Sequence, residues 1–160
     1  LLSVQQLTGV YSPFTVEANY NSEIPAYNIP HTICHELSHL KGYMREDEAN
    51  FVSYLACTYS LDASVRYSGT MLALINCANQ LYASDAELYR RLVSEYYSEG
   101  MLRDLRDYNA YWDSFEGPIE EAVDNMNDNY LKFNKQENGV KSYGMMVDLL
   151  LAYYAKGSAQ

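Results

Sequence analysis

The feature that most constrains this chain is the pentapeptide HELSH at positions 35–39, which sets two imidazole side chains four positions apart. Residues four apart lie on one face of an α-helix, so His35 and His39 can reach one metal ion only if this stretch is helical. At about 100° per residue from His35, His39 lies at about 40° and Glu36 at about 100°, where its carboxylate can reach a water molecule at that ion. An apolar side adjoins this polar edge, and we expect it to be buried: Ile33, Leu37 and Leu40.

Gly42 indicates where a further metal ligand should be sought. An active-site zinc usually takes three protein ligands, and the third can be His, Asp or Glu from another element. If the motif helix ends at Gly42 and the next helix packs back antiparallel, positions 46 to 48 stand level with the histidines. All three of these positions are acidic: Glu46, Asp47 and Glu48.

The facing of the second helix separates these candidates. Glu46 shares its side with small and partly polar residues, which let two helices approach closely: Asn50, Ser53 and Cys57. Glu48 lies about 200° away, among Phe51, Leu55 and Tyr59. We therefore predict Glu46 as the third ligand, with Glu48 as the reserve, and Asn50 as the residue that holds an imidazole or the carboxylate by a hydrogen bond. His31 continues the line of histidines one turn earlier, but at the helix start we expect a solvated or substrate-rim residue.

The rest of the pattern predicts a mainly α fold of the α+β kind, with about seven helices and a short N-terminal edge strand or hairpin within Gly9–Asn21. The active-site helix should span 30–42, with Asn28 as its cap and Pro30 in its first turn, and the glutamate helix 45–60. Apolar periodicity and capping signals predict five further helices. The first spans about 62–82, and the second runs from Ser84, with Glu87 in a capping box, to near Gly100. The others carry Leu102 to Phe115, run from Gly117-Pro118 to about Phe133, and run from Ser142 to Ala155.

Length and charge limit the function classes. At 160 residues and 48% hydrophobic composition, the chain is predicted to form a single domain, residues 1–160. A formal net charge of -10 argues against nucleic acid as a partner, because that affinity rests on Lys and Arg neutralising phosphates. No stretch approaches the ~20 apolar residues that span a bilayer. The chain begins Leu1-Leu2-Ser3, and we expect it to be the soluble fragment of a longer protein.

The residues of the site resemble a known family. HELSH followed by REDEAN at 45–50 resembles the zincin metallopeptidases of the gluzincin kind, in which a glutamate three before an alanine in ExxA(D/N) completes the zinc site; this position maps to Glu46. Nearly the whole chain is also similar to an uncharacterised bacterial domain family, through VYSPFTVEAN, HELSH, REDEANFVSYLAC, NDNYLKFN and VKSYGMMVDLLLAYY. Members of that family look like membrane proteins with N-terminal transmembrane helices. This resemblance implies an anchor upstream and a location at the extracytoplasmic face of a bacterial membrane.

The resemblance to zincins implies one zinc ion, a peptide or protein substrate, and Glu36 as the general base for the attacking water. It also implies a donor to the oxyanion, for which Tyr143 is the candidate, and an edge strand that aligns an extended substrate. The candidate strand residues are Val10, Tyr11, Ser12 and Phe14, although the same segment can serve as a packing arm.

Two departures from the zincin pattern keep a second function open. Only six residues, Leu40 to Arg45, separate His39 from Glu46, a shorter spacer than in thermolysin-like enzymes. Arg45 also stands where metzincins carry a third histidine. The alternative is therefore a non-catalytic zinc-binding or sensory domain on a zincin scaffold, in which the short spacer leaves the site closed to substrate.

Overall fold

The computed structural model describes residues 2–115 and 142–157. These residues are mainly helical with one small two-stranded sheet, which confirms the predicted fold class. The strands are β1 (Gly9–Ser12) and β2 (Glu17–Tyr20), and the helices are α1 (Ile29–Leu40), α2 (Glu46–Thr58), α3 (Ala63–Ser84), α4 (Ala86–Tyr96), α5 (Glu99–Asp113) and α6 (Ser142–Gly157). The helix predicted from Gly117-Pro118 to about Phe133 lies outside the described residues, as does the loop before α6.

The N-terminal strands form an antiparallel hairpin that packs on α1. Gly9 pairs with Tyr20 and Ser12 with Glu17, and both strands contact α1. Three side chains connect the segments before and after the hairpin with α5. Asn21 Nδ2 donates to Ser3 Oγ and to Tyr111 Oη, each at 3.1 Å, and the Tyr111 hydroxyl donates to Ser3 Oγ at 2.7 Å. The hairpin is thus tied to α5 as well as laid on α1.

Glycine ends the motif helix at the position where the sequence requires it. Gly42 has φ +99°, in the left-handed region that L side chains rarely adopt. Its N–H donates to the carbonyl of His39 at 2.9 Å, and the Tyr43 N–H donates to that of Ser38 at 3.1 Å. These two bonds form a Schellman motif, which satisfies carbonyls that the helix end leaves without partners.

Helix α2 lies at the centre of the fold, in contact with α1, α3 and α6. Its small residues are buried, and a Cβ atom built on Gly69 of α3 would lie 2.4 Å from the Cys57 Cβ, so these helices approach closely. On its other side, Tyr54 joins Met146 and Leu150 of α6 in the hydrophobic core. The Tyr54 and Tyr154 hydroxyls hydrogen-bond each other, which adds a polar link between α2 and α6.

Several local expectations were wrong. Leu37 is 44% exposed, because α1 turns its site-bearing face, including Glu36 and His39, towards its neighbours. Asn28 stands at the start of α1 without a side-chain cap bond. Helix α4 is capped by Asp85, whose carboxylate accepts from the Leu88 N–H at 2.9 Å, whereas the Ser84 hydroxyl bonds back to carbonyls of α3.

The α4 and α5 boundary also lies earlier than predicted. Helix α4 ends at Tyr96, and Ser98 caps α5 by accepting from the Met101 N–H. Gly100 therefore lies inside α5 and does not end α4. In the part of the chain that the structure describes, no helix combines the length and apolar character needed to cross a bilayer.

Candidate metal centre

Helices α1 and α2 bring three metal-ligating side chains to one point. The Nε2 atoms of His35 and His39 lie 3.0 Å apart. Glu46 Oε2 lies 3.1 Å from His35 Nε2, and Glu46 Oε1 lies 3.6 Å from His39 Nε2. Within residues 2–115 and 142–157, this is the group of His, Cys, Asp or Glu side chains whose donor atoms are close enough to hold one ion.

The donor set and its spacing fit zinc. Two imidazole nitrogens and one carboxylate are the ligands of many catalytic zinc sites, which leave a fourth position for water or substrate. With zinc–ligand distances near 2.0–2.1 Å, tetrahedral geometry sets neighbouring ligand atoms about 3.4 Å apart. The observed separations of 3.0, 3.1 and 3.6 Å lie around that value. Residues His35, His39 and Glu46 could therefore hold one such ion.

The turn at Gly42 also orients one imidazole. The His39 Nδ1 atom lies 2.8 Å from the carbonyl oxygen of Tyr43, the residue that the Schellman motif folds back over the helix end. A hydrogen bond from Nδ1–H to this carbonyl leaves the Nε2 lone pair of His39 free for a metal. The turn that ends α1 thus also orients one imidazole of the candidate metal centre.

Asn50 lies beside the other imidazole. The side chain of Asn50 is one of the groups that raise the pKa of the His35 imidazole. His35 Nδ1 and Asn50 Nδ2 are both buried, and neither has a hydrogen-bond partner among the described residues. A turn of the Asn50 amide that brings its oxygen to Nδ1–H would orient His35 as the Tyr43 carbonyl orients His39.

The acidic residues that follow Glu46 face other partners. Asp47 is buried and accepts two hydrogen bonds from Arg45, at 3.1 and 2.8 Å. The side chain of Glu48 is 44% exposed and lies 3.8 Å from the Arg45 guanidinium. Glu48, the reserve ligand, thus points towards Arg45 and solvent, while Glu46 lies against both histidines.

Glu36 is enclosed by the hairpin. It is 5% exposed, and a Cβ built on Gly9 would lie 2.5 Å from Glu36 Oε1 and 2.7 Å from its Cγ. The backbone of β1 therefore rests directly on this side chain, and any larger residue at position 9 would displace it. Burial raises the pKa of Glu36 to about 7, and the neighbouring charges of His35 and Glu46 act on it in opposite directions. A carboxyl group with this pKa can both accept and release a proton near neutrality.

His35, His39 and Glu46, the candidate metal-binding group, share charge with one another. Burial lowers the pKa of His35, but the hydrogen bond and charge of Glu46 outweigh it and raise that pKa overall. Burial would raise the pKa of Glu46, yet its bond to His35 lowers it overall. Burial, followed by the charge of His35, lowers the pKa of His39. Glu46 is thus held ionised, as a metal ligand must be.

The predicted edge strand has one residue that faces the site. The Tyr11 ring centre lies 6.3 Å from that of His39. Val10 and Ser12 alternate to the other face of β1, and Phe14, at the tip of the hairpin, is 96% exposed. Tyr143 belongs to the first turn of α6, and its side chain lies outside the described part of the structure.

His31 is half-buried at the start of α1, so it is less solvated than its place at the helix start suggests. Its backbone N–H donates to Ser68 Oγ at 3.0 Å, and its backbone carbonyl accepts from the Ser53 hydroxyl at 2.6 Å, so α2 and α3 both bond to the chain at this residue. Burial, aided by the charge of His35, lowers the pKa of its imidazole to about 4. His31 is therefore a packed, neutral residue at the junction of α1, α2 and α3.

Two contributors to the site escaped prediction. Gly9 could have been suspected, since a glycine in a strand often marks the close approach of another group, but nothing in the sequence says which group. No sequence pattern indicates the Tyr43 carbonyl, because every residue carries a carbonyl and only the geometry of the turn directs this one at His39. Both contributions come from backbone, where side-chain patterns carry little information.

These features define a mainly helical domain in which an HExxH helix and the next helix bring two histidines and a glutamate together. The chain belongs to the family described as "Protein of unknown function (DUF3810)", whose model matches residues 1–151. This match confirms the expected uncharacterised domain family. No curated protein and no solved structure matches the chain.

Proposed function

We propose that this protein is a zinc-dependent metallopeptidase that hydrolyses peptide bonds in peptide or protein substrates. The observation that carries the proposal is the convergence of His35, His39 and Glu46 beside Glu36. Three ligands of the kinds that catalytic zinc uses, with a carboxyl group one residue along the helix, form the arrangement of a metal-assisted hydrolase. The resemblance to the uncharacterised bacterial family extends the proposal to a location at the extracytoplasmic face of a bacterial membrane.

In this mechanism a bound zinc ion would lower the pKa of water to about 7 and polarise the carbonyl under attack. Glu36 then accepts a proton from the attacking water and later delivers it to the leaving amine. The Tyr43 carbonyl holds the His39 imidazole in orientation, a turned Asn50 amide would do the same for His35, and the enclosing strand keeps bulk water from Glu36.

Replacement of Glu36 by Gln tests the proposal. Glu36 is not a member of the ligand group, so we expect the Glu36→Gln variant to bind one zinc ion per chain while its kcat for peptide cleavage falls by about 10²–10⁴-fold. Metal content would be measured by elemental analysis, and cleavage with a peptide library. Glu95→Gln, the same change on the exposed surface of α4, is the control and should behave as wild type.

Two results would overturn the proposal. One is wild-type protein without bound zinc after dialysis against a metal-replete buffer. The other is zinc-loaded wild-type protein that leaves every member of a broad peptide library intact.

The second candidate is a non-catalytic zinc-binding or sensory domain, and one observation favours it. Glu36 is covered by the backbone at Gly9, so its carboxylate has little free space for a water molecule. In that case zinc would bind stoichiometrically, the peptide library would stay uncut, and Glu36→Gln would change neither result. X-ray absorption spectroscopy of the zinc-loaded protein would then find no exchangeable water in the coordination shell, whereas a peptidase needs one.

A further inference from the structure

Strand β1 turns one of its faces towards the motif helix. Successive side chains in a strand point to opposite faces, so Gly9 and Tyr11 share a face. The close approach of Gly9 to Glu36 shows that this face meets α1, and the Tyr11 ring lies 6.3 Å from the His39 ring, at an angle of 34°. Tyr11 therefore lies next to His39, and Gly9, on the same face of β1, lies next to Glu36.

The hydroxyl of Tyr11 is unengaged. Within residues 2–115 and 142–157 it has no hydrogen-bond partner, and it is not among the enclosed polar atoms, so it reaches solvent. Other tyrosines differ: Tyr67 donates to Asp104 at 2.7 Å, Tyr111 donates to Ser3, and the Tyr27 hydroxyl is buried. Tyr11 thus combines a ring fixed beside the metal-binding group with a free O–H donor.

We propose that Tyr11 is a catalytic residue, which donates its phenolic O–H to the carbonyl oxygen of the substrate as that oxygen gains negative charge. This inference rests on the proposed peptidase function and names a further residue of its site. When water adds to the carbonyl carbon, the π electrons move onto oxygen, and a hydrogen bond from Tyr11 stabilises that charge. The proton stays on Tyr11, and the charge returns to the carbonyl when the C–N bond breaks.

Tyr11→Phe isolates the hydroxyl, because the ring that packs near His39 remains. We expect kcat to fall by about 10²–10³-fold with little change in KM, as on removal of one oxyanion donor. Zinc affinity, measured by competition with a chromophoric chelator, should equal that of wild type. Tyr96→Phe is the control, since Tyr96 is 74% exposed on α4 and away from the site.

A binding measurement supplies a readout that does not depend on turnover. A phosphinic peptide presents a tetrahedral, charged group like the transition state, so Tyr11→Phe should weaken its affinity for zinc-loaded protein by a factor similar to the loss in kcat. The affinity of the cleaved peptide product should change little. Isothermal titration calorimetry measures both.

The outcomes separate the two proposals. Active wild-type enzyme with unchanged kcat in Tyr11→Phe overturns the role of Tyr11 alone, as does a loss of kcat in Tyr143→Phe without one in Tyr11→Phe. A loss of zinc affinity in Tyr11→Phe would make the residue structural and would also overturn it. Zinc-loaded wild type without peptidase activity overturns the proposed function, and the role of Tyr11 with it.

Discussion

At the scale of single residues, two glutamates on one helix turn differ in what they face. Glu46 lies 3.1 Å from His35, whereas Glu48 lies near Arg45 with its side chain 44% exposed. Each can be changed to Gln with almost no change in volume, so the pair forms a matched comparison of a ligand with its neighbour.

We expect Glu46→Gln to weaken zinc binding by more than the 10–100-fold that loss of an outer hydrogen-bond partner usually costs, because a neutral amide replaces a charged ligand. Glu48→Gln should bind zinc as wild type does. Competition with a chromophoric chelator measures both affinities. If Glu48→Gln proved the weaker binder, the geometry of the group described above would not be the one that holds the metal.

Helical periodicity separated these two glutamates in the sequence, because both lie on one helix and its repeat is fixed. Helical periodicity could not identify Gly9 or single out Tyr11 from the other edge-strand candidates as neighbours of the motif, since the packing of a strand on a helix depends on contacts distant in the sequence. It also misjudged Leu37. The polar edge of α1 is enclosed by the hairpin and α2, and the apolar residue is left outside.

At the scale of elements, the turn between α1 and α2 links helix termination to the metal-binding group. Gly42 adopts φ +99°, and a Cβ there would meet nothing within 4 Å, so backbone strain is the whole cost of a side chain. The turn also aims the Tyr43 carbonyl at His39. A change at Gly42 should therefore affect both stability and metal affinity.

We expect Gly42→Ala to lower the free energy of unfolding by about 1 kcal/mol, the usual order of cost for an L residue in the left-handed region. It should also weaken zinc binding, because the carbonyl that orients His39 would shift. Gly100→Ala is the control: Gly100 lies in α5, and its Cβ would meet only Ser98 Oγ at 3.8 Å. That variant should be neutral or stabilised by about 0.4–1 kcal/mol. Urea unfolding of the metal-free proteins measures these energies.

The helix ends show where element prediction succeeds. Gly42 ended α1 as expected, because left-handed backbone strongly favours glycine. Gly100 carried the same signal and ended nothing, since Ser98 caps a new helix that runs through it. A helix cap depends on the geometry of its own turn, so residue type alone could not show which of Ser84, Asp85 and Ser98 cap a helix.

At the scale of the whole molecule, the candidate metal-binding group lies between two helices, α1 and α2, that also hold much of the fold. Helix α1 carries the hairpin, and α2 contacts α3 and α6. A zinc ion bound to His35, His39 and Glu46 would connect α1 with α2, and it would do so in the folded state only. Because a ligand that binds the folded state alone adds to stability in proportion to its affinity, metal binding should be visible in unfolding.

Zinc at about 100 times its Kd should raise the free energy of unfolding by about 2.7 kcal/mol. For a chain of this size, that corresponds to a rise in Tm of roughly 5–10 °C, which a chelator should reverse. Binding of zinc to cysteines and histidines of the unfolded chain would reduce the rise. Glu46→Gln should show much less of it, while Glu36→Gln should retain it in full, because Glu36 is not a ligand. Scanning calorimetry with and without zinc measures the difference; an equal Tm in both conditions for wild type would contradict metal binding by these three residues.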